Sequence, residues 1–180
     1  MLYTAGSKGG AEGDYVAGLY VDVLGDDVVR VGVTEEWFLS YGGSGVVIDG
    51  ADGQRDSRWR SLEGTSVEQG RVIGILMGSN YGHEIVAPAS GTVTRLNPWL
   101  LYNEDAQWGD DLGRPGKELN EDRIWTWDEC RSLPSFNQPW VYDGDANCYE
   151  YRGGWLFDIK LSEPLPSTLL SEPPPAVYDD

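Results

Sequence analysis

Residues 71–93 read RVIGILMGSNYGHEIVAPASGTV, and this stretch limits the possible folds more than any other. A short apolar run over 72–77 climbs to a tip bracketed by Gly78 and Gly82. A return run over 84–86 follows, and Ala87-Pro88 with Ser90-Gly91 turns the chain again into GTVTRL at 91–96. Small residues and proline reverse a backbone at little steric cost. Apolar runs of this length, bounded by glycine and proline, suit strands. The pattern therefore predicts antiparallel strands joined by tight turns.

The rest of the chain follows the same grammar. Residues 15–23 alternate loosely, Gly25-Asp26-Asp27 makes a turn, and VVRVGV at 28–33 is a strand. Val46-Val47-Ile48 lies between glycines, and GWLFDIKL at 154–161 reads as a closing strand. Thr34, Glu35 and Glu36 ahead of Trp37-Phe38-Leu39 have the form of a short capped helix. A threonine there accepts backbone N–H bonds, and acids favour the positive end of the helix dipole. The fold class is mainly β with short helices.

At 180 residues, 40% of them apolar, the chain suits one domain carrying tails or an insertion. Residues 1–14 are glycine-rich and polar and are expected to be mobile. The β-domain is expected over 15–161. Within it, residues 103–152 change character: they hold twelve acids and Trp108, Trp125, Trp127 and Trp140, with no clear period, and so read as an irregular insertion. Residues 162–180 carry five prolines and an acidic end and read as an extended flexible tail.

The net charge is −17, from 30 acidic and 13 basic residues. Nucleic-acid binding by counterion release needs a basic surface, which this composition does not supply. Anionic membranes are disfavoured for the same reason. A protein partner with a basic surface is favoured, through steering that salt weakens. No apolar run reaches bilayer-spanning length, and the chain opens without a signal-peptide pattern, so a soluble protein with no membrane insertion is expected.

Candidate chemistry is sparse. His83 is the only histidine and lies beside no nucleophile motif, so a turn or surface histidine is expected. Cys130 and Cys148 permit one disulfide or none and are too few for a zinc site. Asp143-Gly144-Asp145-Ala146-Asn147 opens like a calcium loop. It then has Cys148 where glycine belongs and Gly154 where glutamate belongs, so a polar turn is expected. Asp49, Asp52 and Asp56 cluster on a glycine-rich loop without a ligand pattern. Carboxylates beside tryptophans suit a glycoside hydrolase, and the insertion has both, as any acidic aromatic segment would. Walker and Rossmann glycine signatures are absent.

Four segments in order resemble the H protein of the glycine cleavage system, a relative of lipoyl and biotinyl carrier domains. They are VVRVGVTE at 28–35, the turn and strand at 66–77 with Gly70, IVAPASGTVTRLN at 85–97, and GWLFDIKL at 154–161. The third is the most characteristic. Together they cover about half the chain. The resemblance implies a flattened β-barrel or sandwich, the barrel-sandwich hybrid of lipoyl and biotinyl carriers.

The resemblance also exposes a defect. Asn80 stands where the family carries its lipoyl lysine, and an amide side chain cannot be acylated in its place. The chain's lysines are Lys8, Lys117 and Lys160, none of them on the hairpin. Asn suits a tight turn because it tolerates left-handed backbone geometry. No cofactor is therefore expected.

These readings converge on a non-catalytic structural or accessory subunit, an unlipoylated H-protein-like domain docked on a larger assembly. Trp108, Trp125, Trp127 and Trp140 are the candidate anchors, because tryptophan is favoured at interface hot spots. They serve equally well as packing against the barrel. Family analogy points to an organellar matrix or stroma, including a peripheral subunit of an electron-transport or photosynthetic complex, with the cytoplasm left open. Two alternatives stand beside this reading. One is a regulatory module that mimics the H protein toward lipoyl-processing enzymes. The other is a carbohydrate-active protein using the carboxylates and tryptophans of the insertion.

Overall fold

The computed structural model describes residues 1–8, 15–41, 45–47, 63–77, 82–98, 127–134, 136–146 and 148–174. Among them are thirteen strands and two helices. One sheet has six antiparallel strands in the order β1 (Leu2–Tyr3), β4 (Leu19–Gly25), β5 (Val28–Val33), β13 (Trp155–Leu161), β10 (Gly91–Leu96) and β7 (Ser66–Val67). A second sheet has the order β2 (Ser7–Lys8), β3 (Tyr15–Val16), β9 (Gly82–Val86), β8 (Val72–Met77) and β6 (Gly45–Val47). Its pairs are antiparallel except β3 with β9. Among the described residues neither sheet closes into a barrel. No described helix is long and apolar enough to cross a membrane.

One core joins the sheets. Val21, Val29, Val31, Val93, Phe157 and Ile159 come from the six-stranded sheet, and Ile73 and Ile85 from the other. Each such side chain contributes about 1.5–3 kcal/mol on burial. Strand alternation explains the choice: in VVRVGV, Val29 and Val31 point inward while Arg30 points outward. The helix α1 (Glu35–Tyr41) adds Trp37 and Phe38 to the same core. Thr34 caps it, its Oγ1 accepting the Trp37 N–H at 3.2 Å, with Glu35 and Glu36 in the first turn.

The Ala-Pro-x-Ser-Gly turn has a physical role for each end. The Ser90 hydroxyl accepts the Gln69 N–H at 3.1 Å, tying this turn to the turn before β8. Any Cβ at Gly91 would collide with the Lys160 carbonyl, so β10 lies against β13 more closely than a side chain allows.

Both ends of the chain depart from the sequence reading. Leu2 packs on the core, and the Thr4 N–H bonds the Leu19 carbonyl at 2.8 Å. Residues 1–8 are thus strand and connection, where a mobile segment was expected. Residues 162–174, expected as a flexible tail, return along the sheet. Leu165 and Leu169 pack on the core, and Leu170 exchanges two backbone bonds with Tyr3 at 2.9 and 2.8 Å. Leucines at this spacing anchor the segment while Pro164 and Pro166 keep it extended.

The insertion is also more regular than its composition suggested. It contains the helix α2 (Trp127–Ser132) and a hairpin of β11 (Trp140–Asp143) with β12 (Cys148–Tyr151). Aromatic and β-branched residues on either side of an Asp-Gly turn favour that hairpin.

Candidate functional site

Two backbone roots hold the insertion to the sheet. The first is Asn97, at the end of β10 and fully buried. Its Nδ2 donates to the carbonyls of Asn137 and of Trp155, the latter at 2.7 Å, and its Oδ1 accepts the Asn137 N–H at 3.2 Å. The Asn97 backbone N–H bonds the Leu156 carbonyl at 2.8 Å. A single side chain therefore joins the strand that leaves the core, the strand that returns to it, and the segment leading into the hairpin.

The second root is the base of the hairpin. The Pro139 carbonyl accepts the N–H of Arg152 at 2.8 Å and of Gly154 at 3.2 Å. The Tyr151 hydroxyl donates to the Val33 carbonyl at 2.7 Å, and its ring lies 5.8 Å from that of Phe38. Gly154 has a φ of 60°, and a Cβ there would collide with the Val33 carbonyl and meet the Tyr151 ring. Only glycine lets the hairpin turn into β13 at this point. Burial pushes the Tyr151 hydroxyl well above the usual phenol range.

Beside these roots the outer face of the six-stranded sheet carries a row of alternating charge. Registry places Asp22 opposite Arg30, Arg30 opposite Asp158 and Asp158 opposite Arg95. Asp158 is buried and accepts three bonds: Arg30 Nε at 2.9 Å, Arg30 Nη2 at 3.1 Å and Trp155 Nε1 at 3.1 Å. The Arg30 guanidinium also sits 4.2 Å from the Trp155 ring centre, and that of Arg95 sits 5.3 Å away. The Asp158 hydrogen bond, opposed by burial, makes Arg30 still harder to deprotonate. Tyr20, buried next to this row, is held above the usual phenol range by burial, with the Arg30 charge opposing. At the centre of this cluster is a bidentate Arg30–Asp158 pair closed by the Trp155 indole N–H.

The sequence-derived candidates fall as follows. Asn80, Trp108 and Trp125 lie outside the described residues, as do Asp49, Asp52 and Asp56. Trp127 opens α2 and Trp140 opens β11, so the backbone places both in the elements that follow the first root. His83 is neither a turn nor a surface residue. It lies in β9, buried, with its ring edge-on to Trp37 at 5.2 Å. The single histidine is therefore an inner-face residue of a strand whose short length hid its parity. The Asp143 carboxylate accepts the N–H groups of Asp145 at 2.9 Å and Ala146 at 3.2 Å, a polar turn closing the hairpin.

Sequence reasoning missed Arg30, Asp158 and Tyr151. The only signal for Arg30 and Asp158 was a charge in the middle of an apolar strand, as in VVRVGV and GWLFDIKL; Tyr151 gave none. Which charge meets which depends on strand order, and no single strand encodes that. A scan against protein-family models and a search of curated proteins find no match to this chain.

Proposed function

We propose that this chain is a non-catalytic accessory subunit whose β-domain serves as a rigid platform for its acidic, tryptophan-bearing insertion. The finer architecture in this reading is an unlipoylated barrel-sandwich hybrid of the H-protein kind, with Asn80 in place of the carrier lysine. Its partner is a larger protein assembly with a basic surface, and its compartment an organellar matrix or stroma.

The observation that carries the reading is the double root. Asn97 and the base of the β11–β12 hairpin fix both sides of the insertion to the sheet by buried and part-buried hydrogen bonds. Between the roots, residues 99–126 carry seven acids, three basic residues, and Trp99, Trp108 and Trp125. Aromatic residues in a net-acidic segment suit protein recognition, with the charge steering approach and the rings supplying contact area. Polar side chains that bond one another inside the fold, as Asp158 and Arg30 do, serve stability. That agrees with a scaffold role.

The test is native purification of the chain with quantitative mass spectrometry of what accompanies it. A partner recovered in a fixed ratio supports the reading. Replacing Trp108 and Trp125 together with alanine is expected to weaken that recovery by about tenfold or more. Recovery of the wild-type chain alone, or a lipoyl or biotinyl adduct on its intact mass, contradicts it.

A further inference from the structure

Residues 163–174 lie on the fold as a ligand lies on a receptor, giving it side chains and little backbone. Among the described residues, the hydrogen bonds joining this strap to the rest of the chain are the two that Leu170 exchanges with Tyr3, at 2.8 and 2.9 Å. The last tie to the sheet before them is the bond from the Ser162 N–H to the Ser90 carbonyl. Pro164, Pro166, Pro173 and Pro174 have no N–H to give. Leu165 and Leu169 pack half-buried on the core, while Ser167 and Thr168 between them are exposed. A segment held by so few bonds opens at a lower cost than the sheet beneath it.

The far end of the strap fills a corner where Gly18, Thr34 and Trp37 meet. The Pro174 Cγ and the Thr34 Oγ1 each lie 3.5 Å from the point a Gly18 Cβ would occupy, and the Trp37 Cε3 lies 3.6 Å from it. The groove thus takes leucines four residues apart, a main-chain pair at Tyr3, and a proline against a glycine and a tryptophan. Main-chain bonds at a strand edge with side chains in pockets are a recurring way to hold an extended peptide. Proline-bearing segments suit it, because they are already extended and lose little entropy on docking.

Charge sets which segment fits best. The ionisable residues of the strap are Glu163 and Glu172, both exposed, and neither makes an ion pair among the described residues. They sit on a chain whose net charge is −17, so its own occupant has the right shape and the wrong sign. A second copy would bring the same two acids. We propose that the groove under residues 163–174 is a docking site for an extended segment of a partner protein, with the strap as its internal competitor. That segment repeats the leucine and proline spacing and carries lysine or arginine in place of the two glutamates. The inference rests on the reading of the chain as a docking subunit with a basic partner and gives that reading a second contact surface outside the insertion.

The experiment is residue-resolved hydrogen exchange on the full, isotope-labelled chain, titrated with three unlabelled peptides. The first has the strap sequence SEPLPSTLLSEPP. The second has lysine in place of both glutamates, and the third also has serine in place of the leucines that match Leu165 and Leu169. The lysine peptide is expected to displace the strap, so that exchange at Leu170 speeds up while Tyr3 stays protected by a peptide carbonyl. It should bind about tenfold more tightly than the strap-sequence peptide at low salt, and the gap should close as salt rises. In an E163K/E172K chain, changed only at exposed positions, melting should hold and the strap should resist the lysine peptide about threefold better. Exchange at Leu170 that ignores the lysine peptide, or that responds equally to the serine peptide, overturns the docking site. Equal binding of the strap-sequence and lysine peptides, or peptide-free dimers in which one chain's strap lies on another, overturns the assignment to a basic partner. Co-purification of the wild-type chain tests the docking reading separately. A chain that recovers no partner while the lysine peptide displaces its strap contradicts that reading alone, and full co-purification with a strap that no peptide moves contradicts this groove alone.

Discussion

Asp158 shows how one side chain can tie two strands together. It sits on β13, takes both Arg30 bonds from β5 and the indole N–H of Trp155, and lies opposite Arg95 of β10. Removing a buried acceptor leaves its donors unsatisfied, which costs more than the bonds were worth. Arg30 keeps partial access to water, with 28% of its side chain exposed, so the cost is moderated. Asp158→Ala is expected to destabilise the chain by about 2–3 kcal/mol, read by urea denaturation. A loss below about 0.5 kcal/mol would mean that the cluster is ornamental. The tyrosines give a pH prediction. Burial raises the pKa of Tyr20 and Tyr151 above the ordinary 10.0. The unfolded chain therefore loses these protons first, and folding stability, complete below pH 10, falls as pH rises beyond it. Absorbance at 295 nm should show both hydroxyls ionising only as the protein unfolds, and Tyr20→Phe should flatten the alkaline loss. Ionisation of both before any loss of structure would contradict the burial argument.

At the scale of elements, the insertion root gives a sharper prediction than the strands do. Asn97→Ala removes the bonds to Asn137 and Trp155 and leaves a buried carbonyl without its donor. It is expected to cost about 2–3 kcal/mol and to speed amide exchange at Asn137 and Gln138 before the rest of the sheet. Uniform loosening of the whole chain would argue against a local root. Deleting residues 163–180 removes the Leu165 and Leu169 contacts and uncovers the Tyr3 edge. Stability should fall by about 2 kcal/mol, with self-association rising in sedimentation. Strands were legible wherever a run of β-formers was closed by glycine, as at Val28–Val33, Val72–Met77 and Gly91–Leu96. So was the Thr34 cap. The C-terminal segment was not, because proline and acid counts describe backbone stiffness and solubility, and neither reports that two leucines find the core. The hairpin in the insertion was hidden for a related reason. Twelve acids dominated its composition and masked short alternating runs on both sides of Asp143.

For the whole molecule, the charge is the dominant fact. Thirty acids against thirteen bases would make approach to a basic surface fast and salt-sensitive. The candidate site was legible only in part. Aromatic and acidic content set the insertion apart from the strands, but its attachment depends on Asn97, whose role comes from the meeting of β10, β13 and residue 137. The sequence around Asn97 does not reveal this, since hydrogen-bond geometry depends on elements distant in sequence. Native mass spectrometry of the purified assembly, stepped through rising ionic strength, tests the account most directly. The account predicts an unmodified chain bound in fixed ratio to a partner at low salt and released as salt screens the contact. A chain that is unaccompanied at every ionic strength, or one carrying an acyl cofactor, would contradict it.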